Sequence, residues 1–136
     1  MDIQNILFQA HSGVRWLVVL ATVVAIIAIL IGLFQNRPYD GFAKRFMSIF
    51  VRAVEIQWLL GLITLLAMGG VPTGLEYRWG HVALMTVAVV VAHLDMPFRR
   101  RPDNVRYMVS LAVIIVTLVL VYAGVAALPG RSLFSM

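Results

Sequence analysis

Three histidines, His11, His81 and His93, are the residues best suited to chemistry, and the chain has no cysteine. Without thiolates there is no disulfide, no thioether attachment of a cofactor and no cysteine nucleophile. Any metal or prosthetic group must be held by imidazole, thioether, carboxylate or packing. Two of the histidines share a setting: His11 is followed by Gly13, Arg15 and Trp16, and His81 is preceded by Arg78, Trp79 and Gly80. A haem of the b type asks for axial nitrogens about 2 Å from iron, small residues beside the macrocycle and cations for its propionates. The expected ligands are His11 and His81, with Arg15 and Arg78 as propionate partners. Gly13 and Gly80, together with Gly61 and Gly124, would leave space, and Trp16, Trp79 and Tyr122 could wall the ring. The same residues have a second reading. Histidine and tryptophan are common at helix ends near a membrane surface, glycine is frequent in membrane helices, and arginine at an edge reaches toward lipid phosphate. The sequence leaves both readings open.

His93 stands apart. It follows His81 by twelve residues, which on one helix is about 18 Å along the axis and about 120° around it. It cannot share a metal with His81, and no further histidine is present to give it a partner, so a two-haem arrangement is excluded. Its neighbours in depth are Arg52, Glu55 and Asp95. That group fits either a proton path or quinone-headgroup site, or an interfacial polar cluster joined by Arg99, Arg100 and Arg101. Arg52 and Glu55, three apart, share a helix face and can neutralise one another. Gln57 and Trp58 are placed for interhelical hydrogen bonds, and Met68 and Met85 are expected in packing before ligation. Phosphate loop, nucleophilic triad, zinc-protease pair and nucleic-acid motif are all lacking.

The elements that must position these residues follow from hydropathy. Of 136 residues, 62% are hydrophobic and 12% charged, and the mean hydropathy is +0.95. A soluble domain carries about a quarter charged residues. A bilayer core of roughly 30 Å is crossed by about 20 helical residues, and four such runs are visible, at about 14–34, 46–69, 79–97 and 105–128. They leave no length for a soluble domain, so positions 1–136 are expected to form one unit. The first run ends in Phe-Gln-Asn-Arg-Pro rather than a small-residue cleavage site, and is kept as a helix of the mature chain. Ser110 and Thr117 interrupt the last run, and their hydroxyls are expected to bond to the preceding turn.

Short connections predict an all-α integral membrane four-helix bundle of up-down-up-down topology. Helices one and three are then parallel, which brings His11 and His81 to one end and sends His93 to the other. Arg37, Lys44 and Arg45 flank the first connection, and Arg99, Arg100, Arg101 and Arg106 the third. Basic residues favour the cytoplasmic side, so both termini and the segment around Tyr77 are expected on the non-cytoplasmic side of a bacterial inner (cytoplasmic) membrane. The net charge of +5 is thus a membrane-edge signature and not a nucleic-acid footprint.

His11-Ser12-Gly13-Val14-Arg15-Trp16-Leu17-Val18-Val19-Leu20 resembles the start of a group of small bacterial four-helix membrane proteins loosely labelled cytochrome b-like. Glu55-Ile56-Gln57-Trp58-Leu59-Leu60-Gly61-Leu62 resembles the second helix of that group, and His81 falls where the third helix carries a histidine at its start. The resemblance spans most of the chain and implies the four-helix topology, with haem as the cofactor. The position of Glu55 is commonly a histidine in the group, so helix two departs from the pattern and no ligand role is carried over to it. Two functions are expected. One is a membrane electron-transfer protein or subunit with a single haem b near the outer face, exchanging electrons with a quinol or membrane complex. The other is a cofactor-free accessory subunit of a larger respiratory or photosynthetic complex. Either would have the lipid bilayer as a partner.

Overall fold

The computed structural model describes residues 2–70 and 78–128. It is an all-α membrane bundle with α1 at Ile3–Phe34, α2 at Phe42–Ala67, α3 at Arg78–Ala92 and α4 at Asp103–Ala126. A short 3-10 turn, Met96–Phe98, lies between α3 and α4. Each of the four long elements, counting α3 through Phe98, is long and apolar enough to cross a bilayer. The chain is therefore a multi-pass membrane protein. The helices form a ring in which each packs on its chain neighbours and α1 closes onto α4. The hairpins α1/α2 and α3/α4 are the tight contacts, and the seams α1/α4 and α2/α3 are thinner. Consequently α1 and α3 face one another across the bundle.

Local chemistry sets the helix ends. Asp2 caps α1, its carboxylate accepting from the Asn5 amide at 2.8 Å. The helix therefore starts eleven residues before the apolar run expected at 14, because polar residues on an extended first section interrupt hydropathy without breaking the backbone. At the other end Asn36 takes a left-handed conformation at φ 52°. This lets the Arg37 amide reach the Gly32 carbonyl at 2.9 Å, the six-to-one bond that closes a helix. Helix α2 ends in the same way, with Gly69 at φ 77° and the Gly70 amide on the Leu65 carbonyl at 2.9 Å. Helix α3 stops at Ala92, five residues before the expected 97. Here the His93 imidazole donates to the Val89 carbonyl at 2.7 Å, while the His93 amide turns to Val90 at 3.1 Å. Pro97 then removes a donor the helix would need. The stops expected at Pro72 and Pro129, and the aromatic Tyr77, lie outside the described residues.

The buried apolar cluster is concentrated toward the end carrying the arginine-rich connections, here the arginine end. Ala25, Ile29, Ala43, Met47, Phe50, Ala92 and Ile114 are each no more than 2% exposed. Small residues on α1 let the hairpin helices approach closely, as membrane interfaces prefer. The first connection folds back onto this core. Tyr39 is buried, its hydroxyl bonded to Ser110 at 2.5 Å, its ring 5.2 Å from that of Tyr107 and 4.1 Å below the Arg106 guanidinium. Burial pushes its phenol pKa up. Ser110 thus bonds across the bundle and not to its own helix, contrary to expectation, and the Thr117 hydroxyl is buried with no hydrogen-bond partner. Back-bonding to the preceding turn is found instead at Thr22, Thr64 and Thr86.

Tyr107 anchors the connection further, its hydroxyl donating to the Arg37 carbonyl at 2.9 Å. The ring lies so close over Gly32 that an added Cβ would overlap the phenol oxygen. Gly32→Ala is expected to displace Tyr107 and destabilise the bundle by about 1–3 kcal/mol, the range for overpacking. Unfolding in mixed detergent micelles, followed by helical ellipticity, measures it. An unchanged transition would mean that Tyr107 has room to move.

Candidate functional site

At the opposite, histidine end of the bundle the interior changes character. The buried apolar cluster reaches Val18 on α1, Val54 on α2 and Val113 on α4. Toward this end His11, Gln57, His81, Thr117 and Gly124 lie between helices, together with the buried Thr64 and Val125 and with Met85 against Gly124. His11 sits eight residues into α1, about 12 Å along its axis, because α1 begins at Ile3. His81 is in the first turn of the described part of α3. The depths coincide: the two rings face each other with centroids 6.4 Å apart and planes at 78°.

Each imidazole is held by the second helix of its own hairpin. His11 Nδ1 lies 3.2 Å from the carbonyl of Gln57, and since a carbonyl only accepts, the ring nitrogen donates. The Gln57 side chain returns the contact, its amide Nε2 donating to the His11 carbonyl at 2.7 Å. His81 Nδ1 donates likewise to the Gly124 carbonyl on α4 at 2.8 Å. In a neutral imidazole with Nδ1 protonated, Nε2 carries the lone pair, so both rings are fixed in the tautomer that ligates through Nε2. The Gln57 side-chain oxygen, Oε1, is buried and has no hydrogen-bond partner.

Glycine makes this arrangement possible at two places. A Cβ on Gly61 would stand 2.8 Å from Cε1 of His11, and one on Gly124 would overlap the Met85 methyl. By contrast a Cβ on Gly13 would meet nothing within 4 Å, and one on Gly80 would only touch Ala127 at 4.0 Å. The close approaches expected of four glycines thus fall on Gly61 and Gly124. Trp16, Trp79 and Tyr122 are exposed on the outside of the bundle, with the Arg15 guanidinium 5.2 Å from the Trp16 ring. Their rings face the surroundings and do not line the interior. Arg15 and Arg78 are half-buried at the same end as the two imidazoles. Met85 packs against Gly124, and Trp58 donates to Thr86 at 3.2 Å across the α2/α3 seam, so both act in packing.

His93 lies at the arginine end, as its spacing requires. Its Nε2 is 2.5 Å from a carboxylate oxygen of Glu55, whose other oxygen accepts from Arg52 at 2.8 Å. The expected Arg52–Glu55 pair is therefore present and extends to His93 across the α2/α3 seam. Neither the placement of Tyr39 and Ser110 beside this cluster nor the bond of Arg106 to Asp40 at 3.1 Å is legible from residue spacing. Among the described residues no three His, Cys, Asp or Glu side chains converge as a metal site.

The donor set fits the expected haem. Two imidazoles bound axially at about 2 Å from one iron place their ring centres roughly 6.3 Å apart. The observed 6.4 Å matches that separation. It also lies within the 4.5–7 Å range of edge-to-face ring contacts, about the separation at which two rings pack without any metal.

Comparison with known proteins gives one informative similarity. The chain is 38% identical over 74 residues to heme A synthase of Granulibacter bethesdensis, a match covering 54% of this chain and 20% of that protein. The chain thus spans about a fifth of the length of this relative. No family model matches, and no solved structure gives a significant match.

Gly61→Ala tests the seating of His11. The added methyl is expected to push the imidazole off the Gln57 carbonyl, and the nitrogen-15 resonances of His11 should lose the pattern of a single fixed tautomer. Retention of that pattern would show that the ring is held by something other than Gln57 and the Gly61 gap.

Proposed function

We propose that this bundle binds one haem b between His11 and His81, near the non-cytoplasmic face, and serves as a membrane electron-transfer protein or subunit of the cytochrome b-like kind. The observation that carries the reading is the facing pair of imidazoles, 6.4 Å apart with both Nδ1 atoms tied to backbone carbonyls. Packing alone asks only that the rings touch. Ligation asks in addition that each ring offer a nitrogen lone pair, which an Nδ1 proton given to a carbonyl assigns to Nε2, and such acceptors also hold the rings and raise their basicity. The partial similarity to a protein named for heme A synthesis supports the same class of bound group. The shared stretch is too small a part of that protein to carry its synthase activity across.

Bound there, haem would supply a one-electron couple at iron. The chain's own contribution is positional. His11 and His81 would hold the metal from opposite helices, and the Gln57 and Gly124 carbonyls fix the angles of the two rings. Gly61 leaves the room His11 needs to lie against α2. Arg15 and Arg78 stand at the same end and suit propionates, since guanidinium–carboxylate bonds are strong and directional. The orientation of the bundle proposed here, with this end outermost, rests on the basic residues of the first and third connections.

An absorption spectrum of protein purified from haem-replete cells tests the proposal. A Soret band with reduced α and β bands of a low-spin b-type haem is expected. His11→Ala and His81→Ala should each abolish the low-spin spectrum, while His93→Ala leaves it. Absence of the band from the native chain, or its survival in His81→Ala, would overturn the reading. The bundle would then stand as a cofactor-free accessory subunit of a respiratory or photosynthetic complex.

A further inference from the structure

The arginine end contains a second feature, independent of the histidine pair. A cavity of about 190 Å³ opens between α2, the turn after α3, α4 and the first connection. Polar groups line it from every side: Tyr39, Glu55, His93, Asp95, Arg106 and Ser110, with Val51 and Val109 as apolar wall. Ionisable groups at membrane depth are costly and are seldom kept without a use.

We propose that this cavity is a binding site for the headgroup of a lipid-soluble quinone. Size gives the first argument. An apolar cavity of about 150 Å³ takes up one benzene ring, so 190 Å³ is the space of one substituted six-membered ring. Charge gives the second. Four cations line the space, and each has an acid beside it: Arg52 is bonded to Glu55, Lys44 and Arg106 both to Asp40, and Arg99 acts on Asp95. Glu55 and Asp95 face the same space as partners of those cations. A neutral ligand with carbonyl acceptors can enter this lining without displacing those pairs.

The third argument is protonic. His93 donates from Nδ1 to the Val89 carbonyl, and its Nε2 meets the Glu55 carboxyl at 2.5 Å. A short contact between that nitrogen and a carboxyl oxygen requires one proton between them, carried by either partner. The pair thus holds one exchangeable proton at the cavity wall. Quinone and quinol differ by two electrons and two protons, so a site serving either form needs a proton-exchanging group within reach. The Tyr39 and Ser110 hydroxyls, bonded to each other at 2.5 Å on the facing wall, can turn a hydrogen toward a ligand carbonyl.

The test uses the full chain in phosphatidylcholine nanodiscs with an azido-substituted short-chain ubiquinone as probe. Photolabelling followed by peptide mass spectrometry should place the label on the segments bearing Val51 to Glu55 and His93 to Val109. Excess decylubiquinone should displace it. Glu55→Gln and His93→Phe should each reduce labelling at least tenfold. Val109→Phe, which fills the cavity from its apolar side and leaves the polar network intact, should do the same with helical ellipticity unchanged. Label spread over the lipid-facing helices and indifferent to Val109→Phe would overturn the proposal. So would displacement by phosphatidylglycerol and not by decylubiquinone, which would assign the cavity to an anionic lipid headgroup. Labelling is read on the polypeptide whether or not haem is present, so this result and the Soret test fail separately.

Discussion

Hydrocarbon offers no hydrogen bonds, and that constraint organises the whole molecule. The backbone meets it by forming helices, in which each amide is satisfied within its own segment. Polar side chains meet it by reaching the carbonyls of neighbouring helices, which have a second lone pair to give. The His11 and His81 rings and the Gln57 amide bond in this way, and the Tyr107 hydroxyl reaches a carbonyl of the first connection. Each such bond does two things. It removes a cost of burial, which in membranes is worth about 0.6–2 kcal/mol per bond, and it fixes the rotation of one helix against another. The residues that look chemically interesting are therefore also the residues that set helix rotation, the quantity on which any site in the bundle depends.

The two ends meet the constraint differently. At the arginine end, small and apolar side chains fill the interior, and the first connection adds Tyr39 as a plug carrying its own hydrogen bond. Ionic groups there are paired: Arg52 with Glu55, Glu55 with His93, and Arg106 with Asp40. Arg52 is largely exposed, so its pair contributes modestly to stability, and its importance is in orienting the Glu55 carboxyl toward His93. At the histidine end polar groups bond to backbone carbonyls. There the His11 and His81 rings and the Gln57 amide are held by carbonyls of the facing helix.

Hydropathy was sufficient for the four spans because an uninterrupted apolar run of about 20 residues has few other uses. It failed where polarity and helicity part company. Gln4, Asn5, Gln9 and His11 look like a polar leader, yet Asp2 caps a helix through them, and Gln4 bonds to the Ala67 carbonyl at 2.8 Å to align the hairpin. The pairing of His11 with His81 was legible because parallel helices one and three leave few choices of level. Which glycines matter was not: Gly61 and Gly124 were visible as outward-half glycines, but only the packing shows that His11 and Met85 lie against them. Tyr39 carried no signal at all. It sits in a connection, and its burial depends on Ser110, Arg106 and Tyr107 arriving from α4, more than 65 residues away.

The two hairpins also share a design that the sequence conceals. In each, the first helix carries a histidine toward its N-terminal end, and that ring bonds to a carbonyl of the second helix near a glycine: His11 with Gln57 and Gly61, His81 with Gly124. Alignment of the residues shows only a scattered likeness, since Arg and Trp follow His11 but precede His81. The equivalence lies in the hydrogen bonds. Two brackets of one kind, each complete within its own hairpin, are set face to face across thinner seams at α1/α4 and α2/α3. Forming the imidazole pair therefore requires no rearrangement inside either hairpin. It requires only that the hairpins meet at a separation set from outside the pair, by the Trp58–Thr86 and Glu55–His93 contacts along one seam and the Tyr39 plug near the other. The separation of the rings is thus set in part by contacts remote from them, as the rotation of each ring is set by the carbonyl it bonds.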